Sequence, residues 1–337
     1  MRGATCLLPR RSSGLQIRLI ETAADVARLR AGFREVFGGD ISPAMLHWKY
    51  GEGRGRMWGA FADSGDLLAH CGVMYREVLA EGKSWRIAQL GDLLATPARL
   101  DGLSRKQSAF FQLIDTVLAS VRDDRNPDAL CFGFPSDRAM RLGERLGLFA
   151  SIDQVHELTL QALPARRLNW WHMQRLTHEE AAAPSFLQHA QRLWTRMAQD
   201  LGRDLVGVRD AAYLRHRYLD HPEHAYVLCC VRPRWGAPVA WAALRKQGGN
   251  YELMDVVAAR EHRLTAVQVL RRHLSELQGA ALTLWLTQGQ LKDIPSSMGF
   301  ESVALQFRIM ANPRSSGGDA QRFAGRWWLT SGDTDYR

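Results

Sequence analysis

Apolar residues Phe110, Leu113, Ile114, Val117, Leu118 and Val121 recur at helical spacing, while Arg105, Lys106, Asp115, Arg122 and Asp123 take the other positions. This pattern predicts an amphipathic helix from Ser104 to Arg122. Upstream, Ile87 to Ala95 reads as a buried strand that carries one carboxylate, Asp92. Downstream, Ala129 to Phe149 reads as an apolar strand, a short helical stretch and the stop Leu146-Gly147-Leu148.

The same plan occurs again further along. Ala44-Met45-Leu46-His47-Trp48-Lys49-Tyr50 lines up with Ala212-Tyr213-Leu214-Arg215-His216-Arg217-Tyr218, and Gly91-Asp92-Leu93-Leu94-Ala95 with Met254-Asp255-Val256-Val257-Ala258. The run from Ala129 to Phe149 aligns without a gap on Ala281 to Glu301, and a helix from Leu264 to Gln278 answers the one from Ser104. An internal repeat of this length divides the chain. The expected organisation is a flexible amino terminus over 1–15, a first domain over 16–160, a linker over 161–185, a second domain over 186–311, and a linker with a docked tail over 312–337. The linker range holds Pro164, Trp170-Trp171 and Ala183-Pro184, and the last range opens on the Pro/Ser/Gly-rich stretch Pro313 to Gly318. Trp327-Trp328 would not hang in water, so the tail is expected to pack on the body.

One candidate binding device lies in the first domain only. Arg99-Leu100-Asp101-Gly102-Leu103-Ser104 is an R-x-x-G-x-S turn between the predicted strand and helix. Backbone N–H groups at a helix start have no internal partners and point at any anion placed there. Arg105 and Lys106 oppose the helix dipole, and an anionic ligand would explain them. An ordinary surface loop with a turn glycine would carry the same letters. In the second domain His262 and Thr265 stand where Arg99 and Gly102 stand in the first.

With this order of elements and this turn, the first domain resembles the GNAT superfamily of acyl-CoA-dependent N-acyltransferases, and the whole chain resembles a tandem GNAT protein. The fold class this implies is α/β (α+β): two GNAT-like domains, each a mixed, mostly antiparallel twisted sheet flanked by helices. The resemblance implies acetyl-CoA, or another acyl-CoA, as co-substrate. Its pyrophosphate would lie on the N–H groups of Leu100, Asp101, Gly102, Leu103 and Ser104, with Arg99 beside them. Its pantetheine arm would pair with the backbone of Leu93, Leu94 and Ala95, as amide-bearing ligands add to a free strand edge. The family's Asn-x-x-Ala-x-x-x-Tyr run falls on Ser136, Ala139 and Gly143. The tyrosine that protonates the departing thiolate in the family is therefore glycine here, and Pro295 in the second domain.

Acyl transfer to an amine needs a neutral amine, a polarised carbonyl and exclusion of water. Asp92, among Leu90, Leu93 and Leu94, is the candidate base. The same carboxylate would equally serve as half of a structural pair with an arginine, and Asp255 in the domain without the turn favours that. Ser136 is the second catalytic candidate, able to hydrogen-bond cofactor or substrate, or simply to cap a helix. Gly133-Phe134-Pro135-Ser136 lacks the second glycine of a hydrolase nucleophile elbow. His216, His221 and His224 cluster with Asp220 and Glu223, but Pro222 interrupts them and no metal-ligand spacing appears, so no metal is expected. His47-Trp48-Lys49-Tyr50 could line an acceptor pocket or merely pack. Asp333 and Asp335 could reach a basic cleft or a substrate amine.

Composition narrows this little. Net charge is +9, from 44 Lys plus Arg against 35 Asp plus Glu. The excess is spread along the chain with no basic tail, which argues against nucleic acid as a partner. Five cysteines, Cys6, Cys71, Cys131, Cys229 and Cys230, show no C-x-x-C spacing and read as reduced, mostly buried thiols. No apolar run has the roughly 18 residues of a membrane span, and the expected location is the cytoplasm. The expected activity is N-acyl transfer, acetyl first, to a primary amine of a small molecule or amino sugar. Two rivals stand beside it: a GNAT-like transferase using aminoacyl-tRNA, and a non-catalytic CoA-binding or scaffold protein.

Overall fold

The computed structural model describes residues 14–96, 108–121, 130–164, 170–312 and 319–334. The turn from Arg99 to Ser104, together with Arg105, Lys106, Cys6 and Asp335, lies outside the described residues.

The first half runs β1 (Gln16–Leu19), α1 (Ala23–Phe37), α2 (Pro43–Tyr50), β2 (Gly55–Phe61), β3 (Leu67–Ala80), β4 (Lys83–Ala95), α3 (Ala109–Val121), β5 (Cys131–Gly133), α4 (Asp137–Leu146) and β6 (Ala150–Gln161). Local chemistry sets the helix ends. The Thr22 hydroxyl accepts from the Asp25 N–H to start α1, which stops at Gly38 with φ 73. Ser42 followed by Pro43 starts α2, and Ser136 starts α4, which stops at Gly147 with φ 69. In α3 the buried side chains are Leu113, Ile114, Val117 and Leu118, the stripe read from the sequence.

The second half repeats the plan: β7 (Trp171–Arg175), α5 (His178–Ala182), α6 (Pro184–Asp200), β8 (Leu205–Gly207), α7 (Ala211–Leu214) continued by a π-helical turn over Arg215–Leu219, β9 (Val227–Pro233), β10 (Ala240–Gln247), β11 (Asn250–Ala258), α8 (Arg260–His273), β12 (Ala281–Thr287), α9 (Gln288–Leu291), a 3₁₀ turn over Ser296–Met298 and β13 (Glu301–Ala311). The tail adds α10 (Asp319–Arg322), β14 (Trp327–Trp328) and a 3₁₀ turn over Ser331–Asp333. β7 and α5 fall inside the range 161–185 expected as linker: β7 pairs antiparallel with β9 as β1 pairs with β2. α8 also begins at Arg260, ahead of the expected Leu264.

The described strands form one mixed, mostly antiparallel sheet with the path β1-β2-β3-β4-β5-β13-β6-β12-β11-β10-β9-β7, from which β8 branches off β3 and carries β14. The last strands of the two halves are exchanged. β13 inserts beside β5, with Met310 opposite Gly133, while β6 pairs with β12 along Ala281↔Gln161 to Thr287↔Val155. Where β13 bulges against β6, the Gln154 side-chain amide donates to the Leu305 and Phe307 carbonyls at 2.8 and 3.1 Å. The side chain thus supplies donors to two carbonyls that the ladder skips at the bulge.

The four described cysteines are free and buried, and Cys229 and Cys230 join different core clusters on opposite faces of β9. A second seam joins the halves at α2. The Trp48 indole N–H donates to the His216 carbonyl at 2.8 Å, and its ring lies 4.8 Å from the His216 ring and 4.5 Å from that of His221. The densest histidine cluster thus packs an interface. Among the described residues no group of His, Cys, Asp or Glu is placed to hold a metal ion, and no helix is long and apolar enough to cross a membrane.

Candidate functional site

Each half contains one parallel strand pair that meets briefly and then parts. β4 pairs with β5 over Ala88↔Cys131, Gln89↔Phe132 and Leu90↔Gly133, and β11 pairs with β12 over Tyr251↔Leu282 to Leu253↔Leu284. From Gly91 onward β4 has no partner strand on its β5 side among the described residues. Its other edge stays paired with β3, across a bulge between His70↔Leu94 and Gly72↔Gly91. Asp92, inside that bulge, has φ 50, a left-handed conformation that non-glycine residues adopt at a cost.

The parted strands open a cavity of about 510 Å³. Leu90 to Leu93 line it from β4, Phe134 to Ser136 from the β5–α4 turn, Phe33 and Phe37 from α1, and Met310 from the exchanged strand β13. Leu93, Asp92 and Ser136 of the sequence-chosen site are thereby brought together, whereas Leu94 is buried against α1 and Ala95 pairs with Ala69.

The Asp92 carboxylate is already engaged. Lys49 Nζ lies 2.8 and 2.9 Å from its two oxygens, and the Tyr50 hydroxyl donates to Oδ2 at 2.5 Å. Lys49, not an arginine, is the partner; its side chain is buried, while the carboxylate keeps a little exposure. Gly72 makes room for this arrangement, since a Cβ there would collide with the Tyr50 hydroxyl. Behind the bulge His70 Nδ1–H donates to the Asp92 carbonyl at 2.8 Å. Burial lowers the His70 pKa, so the ring is neutral, and its Nε2 has no partner among the described residues.

Ser136 caps α4, its Oγ accepting from the Ala139 N–H at 3.4 Å, and its hydroxyl proton is left for another acceptor. The missing tyrosine has a packing counterpart: a Cβ on Gly143 would collide with the Phe149 ring, which occupies the space beside α4.

The second half keeps the Asp–Tyr pair of this geometry but takes its cation from Arg209. Arg217, the counterpart of Lys49, donates to the Gly332 and Thr334 carbonyls instead, and the wedge is then filled. The Tyr218 hydroxyl donates to Asp255 as Tyr50 does to Asp92, and Tyr213 donates at 2.7 Å. Arg209 Nε lies 3.1 Å from Asp255, and both side chains are fully buried. The tail then crosses the place where β11 and β12 part. Trp327 offers its carbonyl to the Thr287 hydroxyl at 2.9 Å, Thr330 donates its hydroxyl to Asp255 at 2.6 Å, and Asp333 pairs with Arg209 at 2.5 Å. Gly332 passes so close to Asp255 and Tyr218 that a Cβ would strike both. The sequence marks Tyr50 and Lys49 only as pocket lining or packing and does not join them to Asp92, although Tyr50/Tyr218 and Asp92/Asp255 are both matched pairs of the repeat. Two matched positions per half that touch each other were the available signal.

A further cleft of about 320 Å³ lies between the halves, lined by Arg54, Arg76 and Glu77 from the first and Asp210, His216 and Asp333 from the second. Phe132 lines this cleft and Phe134 the β4–β5 cavity, with their rings edge-on at 5.9 Å.

No family model and no curated protein sequence matches the chain. Solved structures match in shape. A conserved protein of unknown function from Enterococcus faecalis V583, titled a probable N-acyltransferase, superposes with TM-score 0.67 at 11% identity over 89% of this chain and 72% of that one. A GCN5-related N-acetyltransferase from Kribbella flavida gives 0.63 at 15% identity over 88% and 71%. The Saccharomyces cerevisiae N-myristoyltransferase with bound myristoyl-CoA and inhibitors gives 0.56 at 10% identity over 92% and 82%. These likenesses, with the topology above, show the GNAT fold expected from the sequence.

Proposed function

We propose that the protein is an acyl-CoA-dependent N-acyltransferase whose first half holds the thioester and whose second half shapes the cleft for a primary amine. The observation that carries this reading is the β4–β5 wedge, which has a free strand edge, a left-handed bulge and a cavity between strands that part. An amide-bearing arm fits such an edge, because the backbone groups from Gly91 to Ala95 on that side lack a neighbouring strand among the described residues.

Bound acyl-CoA supplies the activated acyl carbon and a thiolate leaving group. Leu93 and Ala95 offer backbone hydrogen bonds to the arm, the Leu94 groups being turned toward β3, and the turn from Arg99 to Ser104 is proposed to give N–H groups to the pyrophosphate. Ser136 accepts from Ala139 and donates its own proton to the ligand. Asp92 acts as a positioning residue: with both oxygens taken by Lys49 and Tyr50, it fixes the bulge rather than collecting the amine proton. Glu77, exposed and only loosely paired with Arg86 at 3.6 Å, gives the cleft between the halves a carboxylate for the amine of a small molecule or amino sugar. Asp333 is held by Arg209, and Asp210 caps α7.

Calorimetry with free CoA tests the cofactor half. Wild type should bind and Gly102→Glu should not; no binding by wild type, or equal binding by both, removes the assignment. Asp92→Asn and Tyr50→Phe test the role of Asp92 on an amine acceptor. Positioning predicts similar losses of kcat in both, whereas a base predicts a loss confined to Asp92→Asn that is relieved at high pH. A non-catalytic CoA-binding protein is the second reading, favoured by the Phe149 ring against Gly143. Binding without turnover on a panel of amines would establish it.

A further inference from the structure

We infer that the acyl group carried by this protein is longer than acetyl: an apolar chain or ring of about six or more carbons, seated against Leu90, Phe134 and Met310. The inference rests on the proposed function and names the thioester class of that same wedge.

The argument starts from what the cavity walls leave unoccupied. Three acidic or hydroxyl side chains line it; both carboxylates are engaged, and Ser136 keeps a single hydroxyl proton to give. Asp92 is held by Lys49 and Tyr50. Asp40 is held by Arg30 at 2.7 Å and Arg34 at 2.9 Å, and the Ser136 Oγ accepts from Ala139. The other large described side chains facing the space are apolar: Phe33, Phe37, Leu90, Leu93, Phe134 and Met310. Such walls reward a ligand for the apolar area it takes from water and offer a polar acyl group little.

Position along the wedge separates the acyl seat from the arm. The arm needs the free edge from Gly91 onward, whereas Leu90 lies before the bulge, and Phe134 and Met310 stand across from it. A two-carbon group would leave the half-buried Leu93 and Phe134 facing water, while Leu90 and Met310, 3% and 1% exposed, form the packed floor behind them. Phe37, at the end of α1, is 53% exposed although it lines the cavity, so the free protein holds an aromatic ring in water at that rim. Gly133 makes the deep end possible, because a Cβ there would lie 2.9 Å from the Met310 side chain and 2.8 Å from the Leu90 carbonyl. Methionine is unbranched and polarizable, which suits a wall that adjusts to chain length. Met310 arrives on the exchanged strand, so the seat is built from both halves.

The test is calorimetry of the full chain with free CoA, acetyl-CoA, hexanoyl-CoA, octanoyl-CoA and benzoyl-CoA. One fully buried methylene contributes about fourfold in affinity. Octanoyl carries several more than acetyl, so burying only two of them makes octanoyl-CoA bind at least about tenfold tighter than acetyl-CoA. Phe134→Ala and Met310→Ala should remove most of that gain while keeping free CoA within about twofold of wild type, which also shows that each variant is folded. Equal affinity for acetyl- and octanoyl-CoA, or weaker binding as the chain lengthens, overturns the inference and leaves the proposed function standing. No binding of any thioester or of CoA overturns both.

Discussion

The wedges of the two halves share one construction and differ in what fills them. In the first, Asp92 is held by Tyr50 and Lys49 beside an open cavity; in the second, Asp255 is held by Tyr218, Tyr213 and Arg209 beneath the chain's own tail. Among the described residues only the first has its bulge carboxylate at positive φ. The Asp–Tyr pair is therefore part of the scaffold in both halves. Strain and an unfilled cavity accompany the half proposed to bind a ligand, in keeping with local strain collecting at functional sites.

The largest test of this comparison is to empty the second wedge. Deleting residues 327–337 removes Trp327 and Leu329 from the core and uncovers Arg209 and Asp255. Large apolar truncations cost about 3–5 kcal/mol and a broken buried ion pair about 3–5 kcal/mol. These are sizeable against a total of roughly 5–15 kcal/mol, so thermal unfolding should show collapse of the cooperative transition. An unchanged melting temperature would reduce the tail to a cover.

Smaller losses should follow from the matched tyrosines. Tyr218→Phe should cost about 1.5–3 kcal/mol, the range for a hydrogen bond to a charged group. Tyr50→Phe should cost less, since Asp92 keeps some exposure to solvent. Denaturant titration of both variants ranks them, and the reverse order would break the comparison. At the position of the missing tyrosine, Gly143→Ala should cost about 1–3 kcal/mol by overpacking against Phe149. The double variant with Phe149→Leu should regain part of this.

The smallest effect is a pH dependence at the seam between the halves. Burial, then the charge of Arg54, pushes His216 down to about 4, and burial, then Arg217, pushes His221 down to about 3. Unfolded histidine titrates near about 6.5, so both rings are neutral in the fold where the unfolded chain would take up protons. Their contribution is complete above about pH 6.5 and is lost as pH falls toward 4 and 3. Melting temperature should decline over that window, and His216→Gln with His221→Gln should flatten the decline.

Elements whose side chains alternate between core and water could be read directly. The stripe of α3, the strand holding Asp92 and the docking of Trp327 follow from where apolar residues fall. β7 could not be read, because it is only five residues long at the sheet edge. Trp171 and Met173 alternate with His172 and Gln174 and pack on the core, but so short a run does not stand out from a linker. Tyr50 and Lys49 were visible as letters, but their contact with Asp92 spans 42 and 43 positions and needs the turn of α2 over Gly72.

By itself the sequence determined the duplication, the shared run of strand, helix, strand, short helix and strand in each half, and the confinement of the R-x-x-G-x-S letters to one copy, because these depend on neighbours along the chain. Tertiary structure alone decided that β6 and β13 trade places, that Asp92 is neutralised by Lys49, and that the tail fills one wedge and leaves the other open. Either partner strand would satisfy the same backbone hydrogen bonds and apolar alternation, so local pattern cannot choose between them. Only the packing of both halves together settles which surface each segment covers.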